Sequence, residues 1–200
     1  MAGIVEQLAA LQSGLAQVQA ALGSHTRVPE MRRGTVTSLS PAMVLIDGDT
    51  VSTAVTGSDA ALWVGARARV QVQGRDRWVV SVAPISVTPT LLNGWVAYTG
   101  YAAPKAYLDG SGWVRFEGAV TNPTAVTAYP SNILSVPVPF RPVTGLPRFI
   151  GISYATTGTT PGIGDMYVNP ANGVLSLARS SGTNGGAYLT TLDQVRYRAA

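Results

Sequence analysis

Residues 68–73, Ala-Arg-Val-Gln-Val-Gln, alternate apolar and polar positions without a break. A period of two puts Val70 and Val72 on one face of a strand and Arg69, Gln71 and Gln73 on the other. The same reading over the neighbouring chain predicts five short strands, at residues 34–39, 43–47, 50–56, 67–73 and 77–83. Ser40-Pro41, Asp47-Gly48-Asp49, Gly57-Ser58-Asp59 and Gly74-Arg75-Asp76 separate them with turn-forming residues. Five strands in so short a stretch suit a small OB-like barrel over residues 31–84. Only Trp63 and Trp78 are aromatic there, so the barrel reads as a spacer.

Residues 84–89, bounded by Pro84 and Pro89, read as an extended linker. Alternation resumes beyond it. In residues 113–118, Val114 and Phe116 share one face, Arg115 and Glu117 the other. Further strands are expected at 149–154, 165–169, 174–178, 188–192 and 194–197. Turn signals every 8–12 residues over residues 90–200 predict a C-terminal β-sandwich, jelly-roll-like in outline.

The first 26 residues follow a different period. Ile4, Leu8, Leu11, Leu15, Val18 and Leu22 are spaced alternately four and three apart, a heptad seam. Leu8, Leu15 and Leu22 take position a; Ile4, Leu11 and Val18 take position d. Leucine at a with β-branched residues at two of the three d positions favours three or four strands over two. The flanks are Gln and Ala, so ion pairs do not choose the partner and the helix is expected to meet copies of itself. The alternative is a single amphipathic helix packed on its own domain. Gly23-Ser24 is the expected stop.

Composition adds exclusions. Charged residues make up 12% of the 200, half the usual share, while 46% are apolar. The chain is therefore read as mainly β with a sizeable core. It has no Cys, which excludes a disulfide or thiolate nucleophile, and His25 is its one histidine. No metal site or cofactor is expected. Apolar runs fall well short of the ~18 residues of a membrane span, and Glu6 and Gln7 come too early for a signal peptide. The net charge of +4 is spread along the chain rather than gathered in a stripe. Nucleic-acid binding and membrane insertion are accordingly not expected.

Candidate chemistry is sparse. Asp47 and Asp49 are too few for a calcium loop and read as turn residues. A polysaccharide-cutting pair would come from Asp109, Glu117, Asp165 and Asp193, but no spacing brings two of them together. The chain is expected not to be an enzyme. Aromatic residues concentrate in the last part, which holds thirteen of the fifteen. Tyr98, Tyr101 and Tyr107 are the expected ligand-facing residues, because tyrosine offers rigid amphipathic area. Trp95, in the same segment, is expected to be structural. Loops at 156–164 and 180–186 are candidate recognition tips. His25 reads as the solvated end of the helix, and 139–142, Pro-Phe-Arg-Pro, as a rigid connection.

Several runs in the last part, taken in order, resemble the C-terminal domain of bacteriophage tail fibre and receptor-binding proteins. These are LLNGW at 91–95, YLDGSGWVRFEGAV at 107–120, VPVPFRPV at 136–143 and MYVNPANGVLSL at 166–177. The sequence departs from that pattern at Phe140, where Tyr is usual, and at Val138-Pro139, where a Gly is missing. The resemblance implies a homotrimeric virion appendage (a tail fibre, minor tail or collar spike) assembled in the host cytoplasm. Its N-terminal end would join other virion proteins. Its C-terminal knob would bind a bacterial surface glycan or protein. The alternatives are a purely structural virion spike in the collar, neck or capsid, and a monomeric carbohydrate-binding module.

Overall fold

The computed structural model describes residues 7, 11–19, 28–124, 126, 128–155, 161–180 and 188–199. Residues 11–19 are helical and exposed along their whole length. Leu11, Leu15 and Val18 keep more than half of their surface in solvent, so this face of residues 11–19 is not packed against the described part of the chain. Ile4, Leu8, Leu22 and His25 lie outside the described residues.

All other regular structure among the described residues is strand, apart from one 3₁₀ turn. The first six strands are β1 (Glu30–Leu39), β2 (Ala42–Ile46), β3 (Thr53–Ala54), β4 (Gly57–Ser58), β5 (Arg67–Gln73) and β6 (Asp76–Val82). They form one sheet in the order β3-β2-β1-β5-β6-β4. Its core comes from the alternation: Val36, Val44, Ile46, Ala68, Val70, Val79 and Val82 are buried, with Trp63 over them. Arg67 and Arg69 face water.

One expected strand, 50–56, divides in two. Thr53–Ala54 pairs with β2, and the chain then bends so that Gly57–Ser58 runs parallel to β6. The reason lies at Thr56. Its hydroxyl donates to the Arg77 carbonyl at 3.0 Å and accepts from the Arg77 N–H at 3.1 Å, which carries the chain across to β6. Gly57-Ser58 is thus strand, where a turn was expected. Both outermost strands come from one run, with only Val55 and Thr56 between them. A gap of two residues spans about 10 Å at most, so the sheet must curl until its ends approach.

The chain continues through β7 (Ile85–Val87), β8 (Thr90–Leu91), β9 (Val96–Ala97), β10 (Lys105–Leu108), β11 (Trp113–Glu117), β12 (Ala119–Asn122) and β13 (Ser131–Ser135). A 3₁₀ turn, Val138–Phe140, precedes β14 (Arg148–Ala155), β15 (Pro161–Val168), β16 (Val174–Ser180), β17 (Tyr188–Thr191) and β18 (Arg196–Arg198). The stretch 84–89, expected as a linker, supplies β7, which pairs with β10. Pro161–Gly164 and Ser180, placed in loops by the sequence, belong to β15 and β16; 156–160 and 181–187 lie outside the described residues.

These strands make a four-stranded sheet, β18-β11-β10-β7, and an eight-stranded one, β8-β13-β16-β15-β14-β17-β12-β9. The eight-stranded sheet repeats the device of the first. Its outermost strands β8 and β9 are joined by 92–95 alone. Asn93 and Gly94 both have positive φ, at 49° and 78°, the backbone an Asn-Gly turn needs. Trp95, as expected, is buried, and its Nε1 donates to Ser131 Oγ at 3.2 Å. The two sheets face each other through Tyr197, whose ring lies about 6 Å from both Phe116 and Phe149. Its hydroxyl donates to the Phe140 carbonyl at 2.6 Å. Buried residues of all three sheets belong to one contiguous cluster. The β10–β11 hairpin also touches the first part of the chain, where the Ala61 N–H donates to the Gly110 carbonyl at 3.2 Å.

Candidate functional site

The outer face of the four-stranded sheet carries the chemistry that its inner face excludes. Ala106, Leu108, Val114, Phe116 and Tyr197 point inward and are buried. Between them, period two sends Tyr107, Trp113, Arg115, Glu117 and Arg196 outward. Register brings these together: Tyr107 lies opposite Arg115, and Arg115 opposite Arg196. The Arg115 guanidinium sits 4.7 Å from the Tyr107 ring centre, and that of Arg196 4.9 Å from the Trp113 ring. Each such contact at an exposed site contributes roughly 0.5–1 kcal/mol.

With Pro84, Leu108 and Asp109, these residues line a cleft of about 240 Å³. Its walls are mostly apolar, and Asp109, Arg115 and Arg196 bring charge to them. Glu117 accepts from Arg115 Nη1 at 2.9 Å. Glu117 also accepts from the Tyr107 hydroxyl, and that bond, with some burial and the negative charge, pushes the phenol up despite Arg115. Asp109 is also in the lining. Burial would raise its carboxyl. Bonds from Ser111 Oγ and the Trp113 and Ser111 N–H groups outweigh that, helped by the charge of Arg196, and hold it below the usual carboxylate range. Asp109 is therefore a turn-builder whose negative charge is fully committed. The Arg196 side chain has no hydrogen-bonded partner among the described residues, and its guanidinium lines the cleft beside the Trp113 ring.

The other sequence candidates fall elsewhere. Tyr98 and Tyr101 pair with each other, centroids 5.8 Å apart, next to β9 and outside the lining of this cleft. Tyr107 is the one expected ligand-facing residue in it. The four weighed carboxylates stay apart in role: besides Asp109 and Glu117, Asp165 takes Arg148 at 3.0 Å and Asp193 accepts the Gly118 N–H at 3.0 Å. Asp47 and Asp49 are ion-paired, with Arg67 and Arg32. No cluster of metal-ligating side chains occurs among the described residues. Pro139 and Phe140 sit in the 3₁₀ turn, and Arg141 Nη1 donates to the Ala171 carbonyl at 2.9 Å, a fixed connection. Sequence reasoning missed Trp113, Arg115 and Arg196 as a group. The outward phase of 113–117 was legible, but Arg196 reaches the site from a strand eighty residues away.

No protein-family model matches the chain, and no curated protein matches it. Among solved structures, it is similar to the receptor binding protein (gp15) of Listeria phage PSA, with a TM-score of 0.44 and 17% identity. The match covers 59% of this chain and 66% of that one, so it spans just under two-thirds of the neighbour's length.

Proposed function

We propose that this chain is a homotrimeric phage virion appendage whose C-terminal part binds a bacterial surface saccharide and does no chemistry on it. The observation that carries this reading is the cleft of Tyr107, Trp113, Arg115 and Arg196. It combines aromatic and apolar area with a guanidinium that has no hydrogen-bonded partner among the described residues, which suits a glycan bearing a carboxylate or phosphate. The committed state of Asp109 and Glu117 supports binding over hydrolysis, since a glycosidase needs one carboxyl free to give a proton.

The remaining parts take supporting roles. The exposed seam of Leu11, Leu15 and Val18 fits a three-stranded coil, completed by Ile4, Leu8 and Leu22, that joins the trimer to other virion proteins. The first sheet serves as an OB-like five-stranded barrel, with residues 53–58 counted as one bent strand closing it. The two later sheets serve as a jelly-roll-like sandwich knob.

The test is binding of the purified full chain to immobilised envelope polysaccharides, neutral and acidic. An acidic polymer should bind, more weakly as salt rises, and Arg196→Ala should lower affinity about tenfold, a loss of ~1.4 kcal/mol. Retention of particle assembly with no binding to any envelope polymer or cell would refute the receptor role and leave a structural spike.

A further inference from the structure

A second cleft, of about 470 Å³, opens on the outer face of the first sheet. It is lined by Thr56, Asp59, Gln71, Gln73, Asp76 and Trp78. Three strands deliver these residues. Gln71 on β5 lies opposite Trp78 on β6, Gln73 lies opposite Asp76 at the head of the same hairpin, and Gly57 on β4 pairs with Trp78 from the other side.

The indole is held as a platform. A Cβ at residue 57 would overlap Cζ3, Cε3 and Cη2 of Trp78, so the six-membered ring packs closely against the glycine. Packed against the glycine in this way, Trp78 still keeps 41% of its surface exposed. An indole that packs on the backbone of its own sheet and turns its free face to a polar cleft adds little to the core.

The polar lining is distinguished by what it does not do. Of the nine described acidic residues, seven hold an internal hydrogen bond or ion pair: Glu30, Asp47, Asp49, Asp109, Glu117, Asp165 and Asp193. The two whose carboxylates have no partner among the described residues, Asp59 and Asp76, line this one cleft. Gln71 and Gln73 likewise spend no side-chain amide on the described protein, whereas Thr56 is committed to Arg77. The lining therefore offers carboxylate acceptors, two amides that donate and accept, and one flat apolar face. It contains no cation, which disfavours an anionic ligand. A single aromatic wall is also not the cage that a quaternary ammonium requires. A pyranose meets all of these terms at once: an apolar C–H face for the indole and a ring of hydroxyls that donate to carboxylates and exchange hydrogen bonds with amides.

We propose that this face is a second ligand site, taking a neutral pyranose stacked on Trp78 with its hydroxyls held by Asp59, Asp76, Gln71 and Gln73. It differs in place and charge preference from the arginine-bearing cleft on the four-stranded sheet, and so stands or falls separately. It also gives the first part of the chain a role beyond that of a spacer.

The full chain, labelled with ¹⁵N, tests this through its tryptophan indole N–H signals. The probes are neutral trisaccharides of glucose, galactose, mannose, rhamnose, N-acetylglucosamine and N-acetylgalactosamine, with trigalacturonate as the acidic control. At least one neutral probe should move the Trp78 signal and leave that of Trp113 in place, while trigalacturonate should not move Trp78. Trp78→Ala should weaken binding at least tenfold, an expected loss of about 1.4 kcal/mol or more. Asp76→Asn, an exposed and isosteric change that keeps the fold, should weaken it severalfold, and Arg196→Ala should not change it. If no neutral probe moves the Trp78 signal at up to ~10 mM, weaker than any useful site, or if binding survives Trp78→Ala, the proposal is overturned. A Trp78 response that persists unchanged when Arg196→Ala weakens acidic-polymer binding would separate the two sites.

Discussion

Replacing Tyr197 by Phe deletes one oxygen from the interior and tests two consequences of its placement. The ring should stay between Phe116 and Phe149, since nothing about its shape changes. The hydroxyl, however, donates to the Phe140 carbonyl at 2.6 Å in a site that is only 4% exposed. Removing the donor leaves that carbonyl buried without its partner, at a cost of about 1–3 kcal/mol. For a chain of 200 residues, each kcal/mol moves the midpoint by roughly 2–4 °C, so the variant should melt about 2–12 °C lower at pH 7. The second consequence has the opposite sign. Burial pushes the Tyr197 phenol well above its ordinary value. The unfolded chain ionises this group near pH 10 while the folded one keeps it neutral. Its contribution to stability is therefore complete below pH 10 and is lost as pH rises toward the folded value, by up to about 1.4 kcal/mol per pH unit. Tyr197→Phe lacks that loss. Thermal melts from pH 8 to 11 should show the wild type falling more steeply above pH 10 and the two curves drawing together. The Tyr107 phenol, also raised, is present in both proteins and cancels. Parallel curves across this range, or a midpoint at pH 7 within 1 °C of wild type, would refute the reasoning.

Three further outcomes are expected. Gly94→Ala, at a φ of 78° and with only the Asn122 side chain within 4 Å, should lose about 1–2 kcal/mol from backbone strain alone, readable as a lower melting midpoint with unchanged near-ultraviolet circular dichroism. Asp47 is held below the usual carboxylate range chiefly by its hydrogen bond from Arg67, with Arg33 and Arg32 adding charge. That support is present above pH ~4 and fades as pH falls below it, so Asp47→Asn should flatten the acid side of the stability curve, and an unchanged acid limb would count against the pairing. Leu11→Asp with Leu15→Asp should convert the full-length species, measured by light scattering, from trimer to monomer, as should a chain beginning at Val28; a wild-type monomer would remove the coil.

Local alternation made the central strands legible. Residues 67–73 form a strand with the bounds expected, and Val114 and Phe116 are buried between exposed partners. What escaped was set by partners distant in sequence. Strands of two residues, such as β3, β8 and β9, have no period to read and exist only because a long neighbour offers its free backbone groups. β7 was hidden between Pro84 and Pro89, which look like linker punctuation. β13 carries an irregular register between Asn132 and Leu134, which breaks the alternation. The candidate cleft suffered from the same limit. Tyr107 was singled out as one of a run of tyrosines, yet its working neighbours are set by cross-strand register: Arg115 across the hairpin, and Arg196 across a long connection. Trp78 is, in the sequence, only one of two aromatics in a stretch that reads as a spacer; its place opposite Gln71 is set by cross-strand register, and Gly57 beside it reads as part of a turn.

The joining of both outermost strands by a single short run, seen twice in this chain, bears on how it behaves in company. An unpaired strand at the end of a sheet is a template on which another molecule's chain can add, and this is a common route to strand exchange and fibres. Here the first sheet and the eight-stranded sheet each turn their ends toward one another, through Val55-Thr56 and through 92–95. The ends left over belong to the four-stranded sheet. Pro84 and Pro89 flank β7 there, while β18 presents exposed Arg196 and Arg198 and is followed by a bridge between Ala199 and Pro142. Proline and like charge both discourage a further strand from docking. Copies crowded side by side at high local concentration should therefore stay separate folded units, touching through side chains rather than merging their sheets.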